Sequence, residues 1–307
     1  DSQGSITPPI YKTTAYQFKN TEHAANLFGL KEFGNIYSRL TNPTVGSLEN
    51  RLTELEDGAM CVALSSGTAS VMYSLINICS QGDNFITDTQ LYGGTFTMFT
   101  NILPEFGITS KKVDTTDLDL VEKSIDKNTK AIYVETITNP GLVVADIEGL
   151  SKVAHSKGIP LIVDATFTTP ALQKSLDFGA DIVVHSLTKW MSGHGRVIAG
   201  AVIEKGGFEW GNGKFPLYDT PDTSYGGMRW GHDLGDLGAV AYSLRLRTVP
   251  LRNLGANMSP ETAFEVMSGL ETLGLRMEKH CENAKKAAEY LSDHDLVEWV
   301  RFPGLKD

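Results

Sequence analysis

Short apolar runs recur along much of the chain, each followed by a stretch of helical periodicity: Cys61-Val62-Ala63-Leu64, Phe85-Ile86-Thr87, Ala131-Ile132-Tyr133-Val134, Pro160-Leu161-Ile162-Val163, Ile182-Val183-Val184 and Ile198 to Ile203. A strand that is apolar throughout, rather than at alternate positions, needs cover on both faces. Helices on the two sides of a mostly parallel sheet supply it. The pattern therefore predicts an α/β fold with the sheet between helix layers. In such sheets ligands gather beyond the carboxyl ends of the strands, so the polar residues just after each apolar run are the ones to read for chemistry.

The flanking segments set the domain plan. Residues 1–45, with Pro8-Pro9, Thr13-Thr14 and Asn42-Pro43, read as an extended N-terminal arm with one short helical candidate near Glu22 to Leu30. Helical periodicity begins at Ser47, with Leu48, Leu52 and Leu55 on one face, and ends at Asp57-Gly58. Residues 46–258 are the expected ligand-binding domain. Beyond Phe208 a long insertion rich in Gly, Asp, Tyr and Trp precedes further helix. Residues 259–307 read as the start of a second, smaller C-terminal α+β domain cut short at Asp307, with Val297-Glu298-Trp299-Val300 as its first strand. The chain does not begin with Met, so a preceding stretch is expected.

Composition excludes several classes. With 27 basic and 37 acidic residues the net charge is −10, which repels nucleic acid and anionic membranes; neither is expected as a partner. Three cysteines, Cys61, Cys79 and Cys281, have no paired spacing, so neither a disulfide framework nor a metal site is indicated and a reducing cytoplasm fits best. No apolar segment reaches the roughly 18 residues needed to span a bilayer. HExxH, GxxxxGK[ST] and a strand-linked GxGxxG are all missing, which removes support from zincin, nucleotide-hydrolase and dinucleotide readings.

The residues after the apolar runs carry a different chemistry. One run ends at Asp164, and the next leads into His185-Ser186-Leu187-Thr188-Lys189-Trp190. This suits pyridoxal phosphate: Lys189 would hold the cofactor aldehyde as a Schiff base, Asp164 would keep the pyridine nitrogen protonated, and the hydroxyls of Ser186 and Thr188 would face the phosphate. Leu64-Ser65-Ser66-Gly67-Thr68, between a strand and a helix, would offer backbone N–H groups to the same phosphate; the string equally suits ordinary helix capping.

Three further strings, Tyr37-Ser38-Arg39, Leu91-Tyr92-Gly93-Gly94-Thr95 and Glu135-Thr136-Ile137-Thr138-Asn139-Pro140, complete a combination that resembles the Cys/Met-metabolism family of pyridoxal phosphate enzymes over nearly the whole chain. The resemblance implies an aspartate aminotransferase-like fold and assigns roles by position. Lys189 holds the cofactor and then moves protons between substrate carbons, Asp164 pairs with the pyridinium, and Ser66, Gly67, Thr68, Ser186 and Thr188 hold the phosphate. Tyr92 stacks on the ring and assists proton transfer, and Asn139 sits by the ring hydroxyl and substrate carboxylate. Tyr37 and Arg39 reach the phosphate of a neighbouring subunit, implying dimers that share active sites, assembled into a homotetramer.

Within the family the insertion around Phe208-Glu209-Trp210, Lys214-Phe215-Pro216 and Thr223-Ser224-Tyr225, with Gly269-Leu270-Glu271-Thr272, looks like the O-acetylhomoserine sulfhydrylase branch. This implies γ-replacement on O-acetyl-L-homoserine by sulfide, or by another donor such as a protein thiocarboxylate, giving homocysteine and acetate. The alternatives are a γ-lyase of the methionine or cystathionine type, cystathionine γ-synthase, and, from another class, a non-enzymatic protein that kept the fold. Two positions depart from the family pattern: Ala165 replaces an amide side chain after Asp164, and Arg196 stands where small or acidic residues are usual. The arginine that grips the substrate carboxylate in this family is expected beyond Asp307.

Overall fold

A computed structural model describes residues 3–305. Its centre is a seven-stranded sheet: β1 (Met60–Leu64), β2 (Asn84–Asp88), β3 (Thr109–Val113), β4 (Thr129–Glu135), β5 (Leu161–Asp164), β6 (Ile182–His185) and β7 (Gly200–Glu204), in the order β1-β7-β6-β5-β4-β2-β3. Only β7 runs against the rest, pairing antiparallel with both β1 and β6. Every residue of β2, β4, β6 and β7 is buried, as continuous apolar strands between helix layers require.

The apolar-run criterion finds six of these strands. It passes over β3, Thr-Ser-Lys-Lys-Val, because an edge strand is half-solvated and does not need to be apolar. Lys111 at this edge donates to the Ser124 carbonyl at 2.8 Å and to Asp126 at 2.7 Å, which blocks the free edge with charge.

Four early helices position the site: α1 (Thr21–Phe28), α2 (Pro43–Glu56), α3 (Gly67–Ile76) and α4 (Gly93–Thr97). α2 begins four residues earlier than its periodicity suggests. Asn42 is not loop punctuation but an N-cap whose side chain accepts from the N–H of Thr44 at 3.0 Å, and Pro43 takes the first helical position, where a missing N–H costs nothing. The helix ends where Asp57 turns left-handed at φ 54°. Leu48 and Leu52 are fully buried against β1.

The long insertion packs into the core rather than around a ligand. Trp210 stacks on Tyr218 and Tyr242 at 4.8 and 5.2 Å and meets Phe215 edge-on at 5.1 Å. At the C-terminal end two helices, Pro260–Leu270 and Leu273–Ser292, follow one another, and the expected strand at 297–300 is not formed. None of the seven strands pairs with it, and a segment without a neighbouring strand to bond cannot form one. No helix among the described residues is long and apolar enough to cross a membrane, and none of their His, Cys, Asp or Glu clusters could hold a metal. Cys61 and Cys79 are buried packing residues and Cys281 is exposed.

Candidate active site

The carboxyl ends of β1, β4, β5 and β6 open into one cleft of about 650 Å³, a size that suits a cofactor-sized ligand. Ser66, Gly67 and Thr68 enter it from the start of α3, Tyr92 from the turn before α4, and Asn139 from the loop after β4. Asp164 ends β5, and Ser186, Thr188 and Lys189 follow β6. Nine of the eleven positions expected from the sequence are thus brought together from five separate loops.

Tyr37 and Arg39 are not among them. They lie in the arm, with the Arg39 guanidinium 5.0 Å from the centre of the Tyr37 ring, and do not line this chain's cleft. The Nε of Arg39 is buried without a hydrogen-bond partner among the described residues.

Asp164 is held at both oxygens. The Thr166 N–H donates to Oδ1 at 3.0 Å and the Tyr133 hydroxyl to Oδ2 at 3.1 Å, so the amide missing at Ala165, which is itself fully buried, is not needed to fix the carboxylate. Tyr133 is locked by this bond; burial and then the neighbouring Asp164 charge push its hydroxyl well above the usual phenol range. The hydroxyl of Thr166 accepts from the N–H of Ser186 at 2.8 Å, tying the turn after β5 to the turn that carries Lys189.

Pyridoxal phosphate fits the donor set. The Ser66 side chain caps α3 by accepting from the Ala69 N–H at 3.0 Å, which leaves the N–H groups of Gly67 and Thr68 at the open end of the helix, without intrahelical acceptors. The hydroxyls of Thr68 and Ser186 make no hydrogen bond among the described residues. Thr188 is different: its hydroxyl donates to the Ala199 carbonyl at 3.1 Å and accepts the Ala199 N–H at 2.9 Å, so it first serves to fold the Lys189 turn onto β7 and only a lone pair remains for a ligand. Gly67 sits so close to Ser186 that a Cβ there would stand 2.4 Å from the Ser186 Cβ; the phosphate-sized cradle exists because this residue has no side chain.

Lys189 lies exposed within the cleft, and no ion pair or hydrogen bond among the described residues engages its amine. The turn behind it is gripped from the C-terminal segment: Arg276 donates to the carbonyls of Trp190 at 2.6 Å and Gly269 at 2.7 Å. His280, from the same helix, packs on the Trp190 ring at 4.8 Å and lines the cleft. Nothing local in the sequence marks His280, because its approach depends on how the helix Leu273–Ser292 packs against the short helix Thr169–Leu172. Arg196 faces away and pairs with Glu265 at 3.0 Å.

Glu135 stands in the string that contains Asn139, and nothing in its sequence spacing marks it as a site residue. It is almost fully buried at the end of β4 and lines the cleft. Its Oε1 accepts from the Tyr92 N–H at 2.7 Å and its Oε2 from the Asn139 N–H at 3.0 Å. Burial, and then the charge of Asp164, push its carboxyl up to about 7.

Comparison with known proteins agrees with this geometry. The family model described as Cys/Met metabolism PLP-dependent enzyme matches residues 1–307. An O-acetyl-L-homoserine sulfhydrylase of Leptospira meyeri is 45% identical over 302 residues, covering 97% of this chain and 68% of its own length. A homocysteine synthase of Schizosaccharomyces pombe is 45% identical over 301 residues, covering 97% of this chain and 70% of its own. Among solved structures, an O-acetylhomoserine (thiol)-lyase assignment from Campylobacter jejuni, with a pyridoxyl-lysine monophosphate, superposes with a TM-score of 0.95 at 42% identity, over 99% of this chain and 74% of that one. On the family match and these identities, the chain belongs to the Cys/Met metabolism family of PLP-dependent enzymes.

Proposed function

We propose that the protein is a pyridoxal phosphate enzyme that replaces the acetoxy group on the γ-carbon of O-acetyl-L-homoserine with a sulfur nucleophile, sulfide being the simplest, to give homocysteine and acetate. The observation that carries this reading is the convergence of Lys189, Asp164 and the start of α3 in one cleft, in a chain whose relatives include O-acetylhomoserine sulfhydrylases and a homocysteine synthase.

When bound, pyridoxal phosphate supplies an electron sink for charge developing at the substrate α-carbon. The chain's own residues do the rest. Asp164, fixed by Thr166 and Tyr133, supplies the negative charge that keeps the ring nitrogen protonated. The N–H groups of Gly67 and Thr68, with the hydroxyls of Thr68 and Ser186, orient the phosphate. Lys189 would tether the cofactor through its Nζ, and the same amine, when free, would take the α-proton and pass protons along the substrate chain. Tyr92, which lines the cleft, would stack on the cofactor and move a proton near the departing acetate.

The site is completed by assembly in this proposal. Tyr37 and Arg39 of one chain reach the phosphate of a neighbour, which accounts for a buried Arg39 Nε with no hydrogen-bond partner among the described residues. Dimers of this kind, paired into a homotetramer, are the assembly we infer. The insertion that marks the sulfhydrylase branch by its sequence does not line the cleft, so replacement over elimination rests on the relatives and not on a contact in the site.

Purified protein with pyridoxal phosphate and O-acetyl-L-homoserine should form homocysteine when sulfide is present, and Lys189→Ala should abolish both turnover and the visible absorption of the bound cofactor. A 2-oxo acid released at a comparable rate from methionine would make the protein a γ-lyase instead. Homocysteine formed from a protein thiocarboxylate but not from sulfide would change the donor and keep the reaction.

A further inference from the structure

We propose that Glu135 is a positioning residue whose single carboxylate sets the places of both Tyr92 and Asn139. Each oxygen takes one backbone N–H: Oε1 that of Tyr92 and Oε2 that of Asn139. These bonds join the turn after β2 to the loop after β4, two segments that no strand pairing connects beyond Thr87 and Tyr133. Tyr92 stands where α4 begins and makes no side-chain cap there, so its backbone is fixed by Glu135 and the first helical turn alone. The inference rests on the proposed roles of Tyr92 and Asn139; the clamp itself rests only on the geometry.

Such a clamp works in one protonation state. A carboxylate is an acceptor at both oxygens, whereas a neutral carboxyl carries an O–H that would face one of the two N–H donors. Every charged group packed near Glu135 matters to this balance. Asp164 from β5 and Asp88 from β2 both repel its charge. The Tyr133 hydroxyl is spent on Asp164 and offers Glu135 nothing. Lys189 is the lysine that lines the same cleft, and its charge is not among those acting on the carboxyl. Burial and the two aspartates hold the carboxyl at about 7, so the clamp closes as pH rises through neutrality. A protonated cofactor ring paired with Asp164 offsets the larger repulsion and shifts closure to lower pH, which links cofactor loading to the placement of Tyr92.

Hydrogen exchange read by mass spectrometry on the full chain, with and without pyridoxal phosphate, tests this. Peptides spanning Tyr92 and Asn139 in the cofactor-free chain should lose about tenfold of their protection between about pH 8 and about pH 6, after correction for intrinsic exchange, and regain part of it when the cofactor is added. Glu135→Gln should lower protection at both peptides and remove its pH dependence. It should also reduce kcat about tenfold or more at about pH 8 while KM stays within about threefold. Tyr92→Phe should keep the pH-dependent protection, since the clamp holds the backbone. Unchanged protection in Glu135→Gln, or a wild-type chain whose two peptides show no pH dependence, overturns the proposal; the second result stands even where Glu135→Gln does not fold. Because the exchange arm needs neither substrate nor turnover, a failure of the proposed sulfhydrylase activity would leave it unaffected.

Discussion

Replacing Gly67 by alanine should weaken pyridoxal phosphate binding far more than it weakens the fold. The added Cβ would lie 2.4 Å from the Ser186 Cβ, 2.7 Å from its Oγ and 2.8 Å from its Cα. Carbon atoms in ordinary contact stand about 3.5–4.0 Å apart, so the start of α3 and the turn after β6 must separate by about 1 Å. These are the two segments that carry the proposed phosphate donors. Overpacking of this kind costs about 1–3 kcal/mol. If that strain falls on the cofactor-bound arrangement, the dissociation constant rises about 5- to 150-fold, at about 1.4 kcal/mol per decade. Titrating the cofactor-free variant with pyridoxal phosphate by absorbance, alongside its melting temperature, separates the two places where strain can appear. An affinity within about twofold of wild type refutes the reasoning, and a lowered melting temperature with that same affinity would show that the phosphate is held somewhere other than between Gly67 and Ser186.

Two further expectations concern the rest of the molecule. Trp210→Ala removes the ring on which Tyr218 and Tyr242 stack, in a region that does not line the cleft; denaturant unfolding should show a loss of about 3–5 kcal/mol with KM unchanged. Glu204, fully buried on β7 and accepting from the Ser243 N–H at 2.9 Å, is pushed by burial from the ordinary 4.5 up to about 7. Its unfolded form therefore gives up its proton first, so stability falls as pH rises from about 4.5 to about 7, by an amount on the order of 3 kcal/mol, and is level above that. Glu204→Gln should flatten that part of the pH–stability curve relative to wild type; an identical slope in both proteins would show that Glu204 titrates normally.

Much of the site was legible because the pattern that makes a buried parallel strand also marks where it ends. Asp164 and Lys189 follow apolar runs, Ser66-Gly67-Thr68 open a helix after β1, and the structure places all of them in one cleft. β3 escaped the same criterion because its edge position lets water, not a helix, cover half of it. The segment at 297–300 carries a strand-like composition but lacks a partner among the described residues, and composition alone supplies no hydrogen bonds. The insertion beyond Phe208 stands out in the sequence by its length and its Trp and Tyr content; folded, those rings fill core space around Trp210.

The amino-acid order alone determined the layered α/β fold, the strand ends that carry the chemistry, and the identity of Lys189 and Asp164, since each follows from burial, periodicity and the needs of one cofactor. Only the tertiary structure decided which groups hold those residues in place. Tyr133 reaches Asp164 from the neighbouring strand, Arg276 and His280 close on the Lys189 turn from a helix far along the chain, and Glu135 joins two loops that spacing does not relate. The physical reason is that burial and periodicity are local properties of the chain, whereas a carboxylate shared between two distant N–H groups exists only after the sheet has brought β2, β4 and β5 side by side.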